Sequence, residues 1–195
     1  MDGLLIDWGG VLTTSMLDSF DAFARREGAD VRTAFRENGA ARAALVDLET
    51  GTIDITTFEA RLGRALGVDP HDLANRLTRE VRPDREMLDA VRAFHDQGVP
   101  TALVSNSWRE EDYDVDELFD VVVLSGSIGI RKPDPRIYRH AADRLSIPTD
   151  RCVFVDDLGG NLKPAKALGM TTIRHTAASS TISQLKRLLS SSDRS

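Results

Sequence analysis

Four short segments of this 195-residue chain carry the polar groups best placed to do chemistry. Asp7 ends the apolar run Leu4-Leu5-Ile6 and leads into Trp8-Gly9-Gly10. Leu103-Val104 ends in Ser105-Asn106. Lys132 sits in Arg131-Lys132-Pro133-Asp134-Pro135, ahead of a helical pattern. Val153-Phe154-Val155 ends in Asp156-Asp157, with Asn161 shortly after. A carboxylate leaving a buried strand through a glycine-permitted turn points into the crevice where open α/β sheets hold ligands. The N–H groups around Trp8 and Gly9 can form a nest for anionic oxygens, and Gly10 beside them is read with them as substrate-binding. The Ser105 hydroxyl can donate to the same oxygens or cap the next helix, and Asn106 can orient the anion or its carrier. Adjacent carboxylates at Asp156 and Asp157 repel each other unless a cation joins them. A hard divalent ion fits, Mg²⁺ above all, because it takes few protein ligands and completes its octahedron with water and phosphate. The other reading of that pair is a cap on the helix that begins near Leu158.

In this order the four segments resemble the haloacid dehalogenase superfamily, whose members mostly hydrolyse phosphate esters through a phosphorylated aspartate. The run Arg131 to Tyr138 is very like that of the first-subclass phosphatases. The stretch Asp157 to Met170 is similar to the phosphatase-like domains attached to some epoxide hydrolases and acyl-CoA dehydrogenases. The resemblance implies that Asp7 attacks phosphorus, that Lys132 neutralises the phosphoryl group and the nucleophile, and that Ser105 donates to a phosphoryl oxygen. It also implies a Mg²⁺ site in which Asp157 binds directly and Asp156 acts through water or a hydrogen bond. Asp7 would add a carboxylate oxygen and Gly9 its carbonyl. The implied substrate is a small phosphorylated metabolite.

One position departs from the pattern. Most such phosphatases carry a second aspartate two residues after the nucleophile, as general acid and base, and here that position is Gly9. General acid–base catalysis contributes ~10²–10⁴-fold, roughly 2.7–5.4 kcal/mol of barrier. The expectation is therefore a slow or selective phosphatase, most impaired on alkyl esters. Replacement proton donors are sought at His71, Glu59, Asp18 and Asp21, and Trp108 is expected at the substrate entrance or a dimer contact. Competing readings are a dehalogenase-like hydrolase, which keeps no metal-binding acid pair, and a catalytically impaired phosphate-binding or regulatory protein. A phosphonoacetaldehyde hydrolase shares the Asp-Trp start but needs a cap lysine. Lys132, Lys163, Lys166 and Lys186 all lie outside the stretch where a cap would be.

The elements that must hold these residues follow from periodicity. With 41% hydrophobic and 29% charged residues the chain reads as an ordinary globular protein, and its net charge of −6 disfavours nucleic-acid or anionic-membrane surfaces. No apolar run approaches ~18 residues. The first strand starts close to Met1, without room for a leader, which gives a cytoplasmic expectation. The single cysteine, Cys152, is expected as a buried thiol. Short strands apolar on both faces are expected at residues 3–7, 100–105, 120–124, 152–156 and 171–174, with helices between them. Residues 14–81 offer four helical patterns and no strand. The fold expected is α/β: a doubly wound parallel sheet formed by residues 1–14 and 84–195, with a small all-α cap, residues 15–83, inserted after the first strand. The resemblance implies strand order 5-4-1-2-3. Monomer and homodimer both remain open.

Overall fold

The computed structural model describes residues 1–107 and 117–189. The five apolar runs become β1 (Gly3–Ile6), β2 (Thr101–Ser105), β3 (Val121–Leu124), β4 (Cys152–Asp156) and β5 (Thr171–Arg174), all parallel, in the order β3-β2-β1-β4-β5. This is the order the family resemblance implied. In β1 all four residues are buried, and side chains alternate between the two faces of the sheet. Leu4 and Ile6 pack with Met87, Val91 and Phe94 of α6 (Arg85–Asp96) and with Leu185 of α10 (Ala178–Leu189). Leu5 faces Ile137, Tyr138 and Ala141 of α8 (Pro135–Leu145) and Ala165 of α9 (Gly159–Ala167). Each fully buried leucine or isoleucine contributes about 1.5–3 kcal/mol, so slipping β1 by one residue would exchange its faces and is strongly disfavoured. The chain runs from β1 outward to β2 and β3, then returns to β4 on the other side of β1. The crevice beyond the ends of β1 and β4 is therefore the switch point where ligands bind in such sheets.

Five helices lie between β1 and α6: α1 (Met16–Glu27), α2 (Val31–Glu37), α3 (Gly39–Glu49), α4 (Ile55–Leu66) and α5 (Leu73–Thr78). The sequence pattern gives four. The extra break is at Asn38, whose extended backbone ends α2 while its side chain accepts the N–H groups of Ala40 and Ala41 to start α3. These helices enclose a core of their own, including Phe23, Val31, Leu48, Phe58, Leu62 and Leu73. Their two connections to the sheet run side by side: Thr13 bridges Pro83, the Thr14 N–H donates to the Arg82 carbonyl at 2.8 Å, and the Asp84 N–H donates to the Leu12 carbonyl at 2.9 Å.

A second seam joins the end of α3 to the short helix α7 (Ser125–Ile128). The Ser125 hydroxyl donates to the Glu49 carbonyl at 2.5 Å and accepts the Ser107 N–H at 3.1 Å. Glu49 pairs with Arg131 at 2.5 Å. Among the described residues no helix is long and apolar enough to cross a membrane. Cys152 is fully buried.

Candidate active site

Parallel pairing aligns the C-terminal ends of β1, β2 and β4, so Asp7, Ser105 and Asp156 emerge at one edge of the sheet. The Asp7 N–H donates to the Val155 carbonyl at 3.0 Å, which fixes where its carboxylate leaves the sheet. Lys132, on the loop before α8, places Nζ 2.7 Å from Asp7 Oδ1 and 2.9 Å from Asp156 Oδ2. Its ammonium also lies 5.7 Å from the centroid of the Phe154 ring.

All three charged groups are buried, with Asp7 7%, Lys132 1% and Asp156 0% exposed. Burial pulls the Lys132 ammonium down, but Asp7 and Asp156 outweigh it and hold the amine above its ordinary value. Burial pushes the Asp7 carboxyl up; Lys132 opposes this and Asp156 adds to it, leaving Asp7 at about 7. Lys132 is raised because two carboxylates face one ammonium, and Asp7 because its burial outweighs the pull of that ammonium. Asp157 is raised as well, by burial and then by Asp156. Oxygens of Asp7, Asp156 and Asp157 all lie within 4.8 Å of one another, a concentration of negative charge that a divalent cation would relieve.

The two members of the acid pair are held differently. Asp156 accepts the Lys132 ammonium, the Leu158 N–H at 2.8 Å and the Asn161 amide at 3.0 Å on each oxygen. Asn161 is itself fixed, its carbonyl accepting the Tyr138 hydroxyl at 2.7 Å. Asp157 is only half-buried and lies against Gly10.

The turn after β1 is more differentiated than three consecutive N–H donors. The Trp8 N–H donates to Asp7 Oδ1 at 2.7 Å. The Gly10 N–H donates to Thr13 Oγ1 at 3.1 Å. What Gly10 supplies is space: its φ is +75° and a Cβ there would come within 2.6 Å of Asp157 Oδ2. Gly9 opens on the crevice, with nothing within 4 Å of where a Cβ would stand. Ser105 is buried at the end of β2 and lines the same crevice. Asn106 lines the crevice, and its side-chain oxygen and one amide hydrogen are engaged by the neighbouring loop. It accepts the Lys132 N–H at 2.8 Å and donates to the Lys132 carbonyl at 3.0 Å, clamping the backbone of the loop that carries the ammonium. Trp108 lies outside the described residues.

Above these groups is a cavity of about 600 Å³, floored by Asp7, Lys132, Ser105 and Asp157 and roofed by α1 to α5. None of the expected proton donors lines it among the described residues: Glu59 accepts the Ala74 N–H, Asp21 pairs with Arg32, and His71 and Asp18 are exposed. Glu49 does line it, though the sequence reading missed it. Glu49 is 9% exposed, and burial pushes its carboxyl up to about 6 against the opposing pull of Arg131. The available signal was an acid beside Leu48 on the buried stripe Ala41, Ala44, Leu48, with an unmatched cation at Arg131.

The model of the family described as haloacid dehalogenase-like hydrolase matches residues 1–169. The chain belongs to this family. Among curated HAD relatives, the bifunctional epoxide hydrolase 2 of Rattus norvegicus is 34% identical over 115 residues, which are 54% of this chain and 21% of that protein. This chain thus spans about a fifth of the length of that relative. The sesquiterpene phosphatase astK of Aspergillus oryzae is 30% identical over 151 residues, 72% of this chain and 76% of the other. A HAD family enzyme of Bacteroides thetaiotaomicron, solved in complex with magnesium and inorganic phosphate, superposes with a TM-score of 0.71 over 91% of this chain and 95% of its own. At 20% identity that likeness is one of fold. The protein is therefore a HAD-like hydrolase with the parallel α/β architecture of its relatives.

Proposed function

We propose that this hydrolase is a Mg²⁺-dependent phosphatase acting on a small phosphorylated metabolite through an aspartyl-phosphate, slow or selective because position 9 is glycine. The observation that carries the reading is Asp7: a buried carboxylate at a strand end, 2.7 Å from a buried ammonium and clustered with Asp156 and Asp157 on a cavity floor. Relatives named as phosphatases support the same reaction class.

The donor set fits Mg²⁺. Three carboxylates of hard oxygen character share one ammonium, and among the described residues neither the N–H nor the carbonyl of Gly9 has a hydrogen-bond partner. Asp157, Asp7 and the Gly9 carbonyl would hold the ion, while Asp156, already engaged by three donor groups, would orient the site. When bound, the ion would draw charge from the phosphoryl oxygens and help keep phosphorus open to attack by Asp7.

The rest of the chemistry belongs to the chain. An Asp7 oxygen bonds to phosphorus as the ester P–O bond breaks, and the alkoxide leaves with a proton from water or from the cavity wall. A water then attacks phosphorus, releases inorganic phosphate and restores the carboxylate. Lys132 offsets charge on the phosphoryl group and on Asp7, and Ser105 donates to a phosphoryl oxygen. Asn106 acts on this site by fixing the Lys132 loop. Residues 15–83 serve as the cap, closing over the ester and excluding bulk water.

The test is phosphate release from p-nitrophenyl phosphate and a metabolite panel, with Mg²⁺ or EDTA, in wild type and Asp7→Asn. Turnover that needs both the ion and Asp7 is expected. Release that survives Asp7→Asn would remove the mechanism.

A further inference from the structure

The roof of the cavity is hydrocarbon. Phe20, Phe35, Leu45, Phe58, Leu77 and Val81, drawn from α1 to α5 and the loop that follows, face the space above Asp7. Phe20 and Phe35 meet edge to face, with ring centroids 5.9 Å apart. The rim continues the pattern. Leu17 at 37% and Leu158 at 46% are the exposed large hydrophobics among the described residues, and both line this cavity. Two such side chains at the mouth of one apolar chamber mark a surface meant to be covered.

The polar groups along the roof are already bound to their own neighbourhood. Asn75 donates to Asp72 at 2.6 Å, Thr78 to the Ala74 carbonyl at 3.1 Å, and Arg82 to the carbonyls of Arg79 and Val81 at 2.6 and 2.8 Å. Glu49 faces Arg131. A sugar placed here would find few uncommitted partners for its hydroxyls, at about 1–3 kcal/mol for each buried group left unpaired. A hydrocarbon would lose nothing.

Resting on the phosphatase reading, we propose that the substrate is the phosphate monoester of an apolar alcohol, with the phosphate at Asp7 and an extended or branched hydrocarbon tail filling the roof chamber. At about 600 Å³ the chamber falls in the range of pockets that enclose ligands of that size. The tail would also expel water from the phosphate end, which strengthens the interactions of Lys132 there.

The experiment is kcat/KM for n-alkyl phosphates from ethyl to dodecyl, beside a hexose phosphate and glycerol phosphate. Each added methylene is expected to raise kcat/KM by about fourfold, the equivalent of ~0.8 kcal/mol, until the chamber is full, and the polyol phosphates are expected to lie below the short alkyl esters. Phe20→Ser, a half-buried position, is expected to lower the dodecyl-to-ethyl ratio by ~10-fold. A flat series, or a ratio unchanged in folded Phe20→Ser, overturns the proposal while leaving the phosphatase reading intact. If no ester is turned over, calorimetric titration with dodecylphosphonate and ethylphosphonate decides separately. Tighter binding of the long chain keeps the apolar chamber and removes only the phosphatase reading; equal binding removes the chamber.

Discussion

Gly9 and Gly10 are the same residue in sequence and opposite cases in space. At Gly10, φ is +75° and a Cβ would stand 2.6 Å from Asp157 Oδ2, so a side chain must displace the carboxylate proposed to bind the metal. Gly10→Ala is expected to weaken Mg²⁺ binding by about 10–100-fold, the usual effect of disturbing a ligand's support, and titration calorimetry measures it. Unchanged affinity would mean that Asp157 is not a ligand. At Gly9 nothing lies within 4 Å of a Cβ, so an aspartate fits without strain. Gly9→Asp is expected to raise kcat/KM on ethyl phosphate by up to ~10²-fold and on p-nitrophenyl phosphate far less, because an aryl oxide leaves without a proton. An equal gain on both, or none, would count against a missing general acid. Strand ends pointed to Asp7, Asp156 and Asp157, and the family resemblance brought Lys132 to them. They did not distinguish the two glycines, nor show that Asn106 clamps the Lys132 backbone, because both depend on distances across loops.

At the scale of elements, the sheet was legible because its strands are short and, the edge strand β5 apart, mostly apolar on both faces, and its order followed from the family resemblance. The helices between β1 and α6 were less so. Asn38 both ends α2 and starts α3, and Val31 is the single buried residue of α2, too little periodicity to show the break. The seam between α3 and α7 was invisible for another reason: Ser125 and Glu49 stand 76 residues apart. That seam has its own critical position in Gly51, with φ +71° and a would-be Cβ 2.5 Å from the Gly126 carbonyl oxygen. Gly51→Ala is expected to cost more than ~1 kcal/mol from backbone conformation alone, with the steric conflict adding to it. For a chain of this size each kcal/mol lowers Tm by about 2–4 °C. A thermal melt tests this, and an unchanged Tm would show that the seam yields without cost.

For the molecule as a whole, the acidic floor ties stability to pH and to metal. Asp7 moves from 3.8 to about 7 and Glu49 from 4.5 to about 6, so in this window the folded chain holds protons that the unfolded chain has lost. Stability from these two groups is therefore present at low pH and falls as pH rises through their folded values. The carboxyls of Glu27 and Asp134 are lowered instead by Arg76 and Arg136, and what they contribute is lost only in acid, below this window. Burial lowers His175, which works the other way in this window, but two carboxyls outweigh one imidazole, so metal-free protein should melt at lower temperature near pH ~8 than near pH ~5. A divalent cation reverses the balance, because it binds the ionised carboxylates of the folded state and competes with their protons. At about 100 times its dissociation constant, Mg²⁺ should add ~2.7 kcal/mol, and its affinity should rise with pH as Asp7 ionises. Melts across pH with EDTA or Mg²⁺ measure both effects. A metal-free Tm that climbs from pH ~5 to ~8, with no shift on adding Mg²⁺, would contradict the strained anionic floor and the ion site together.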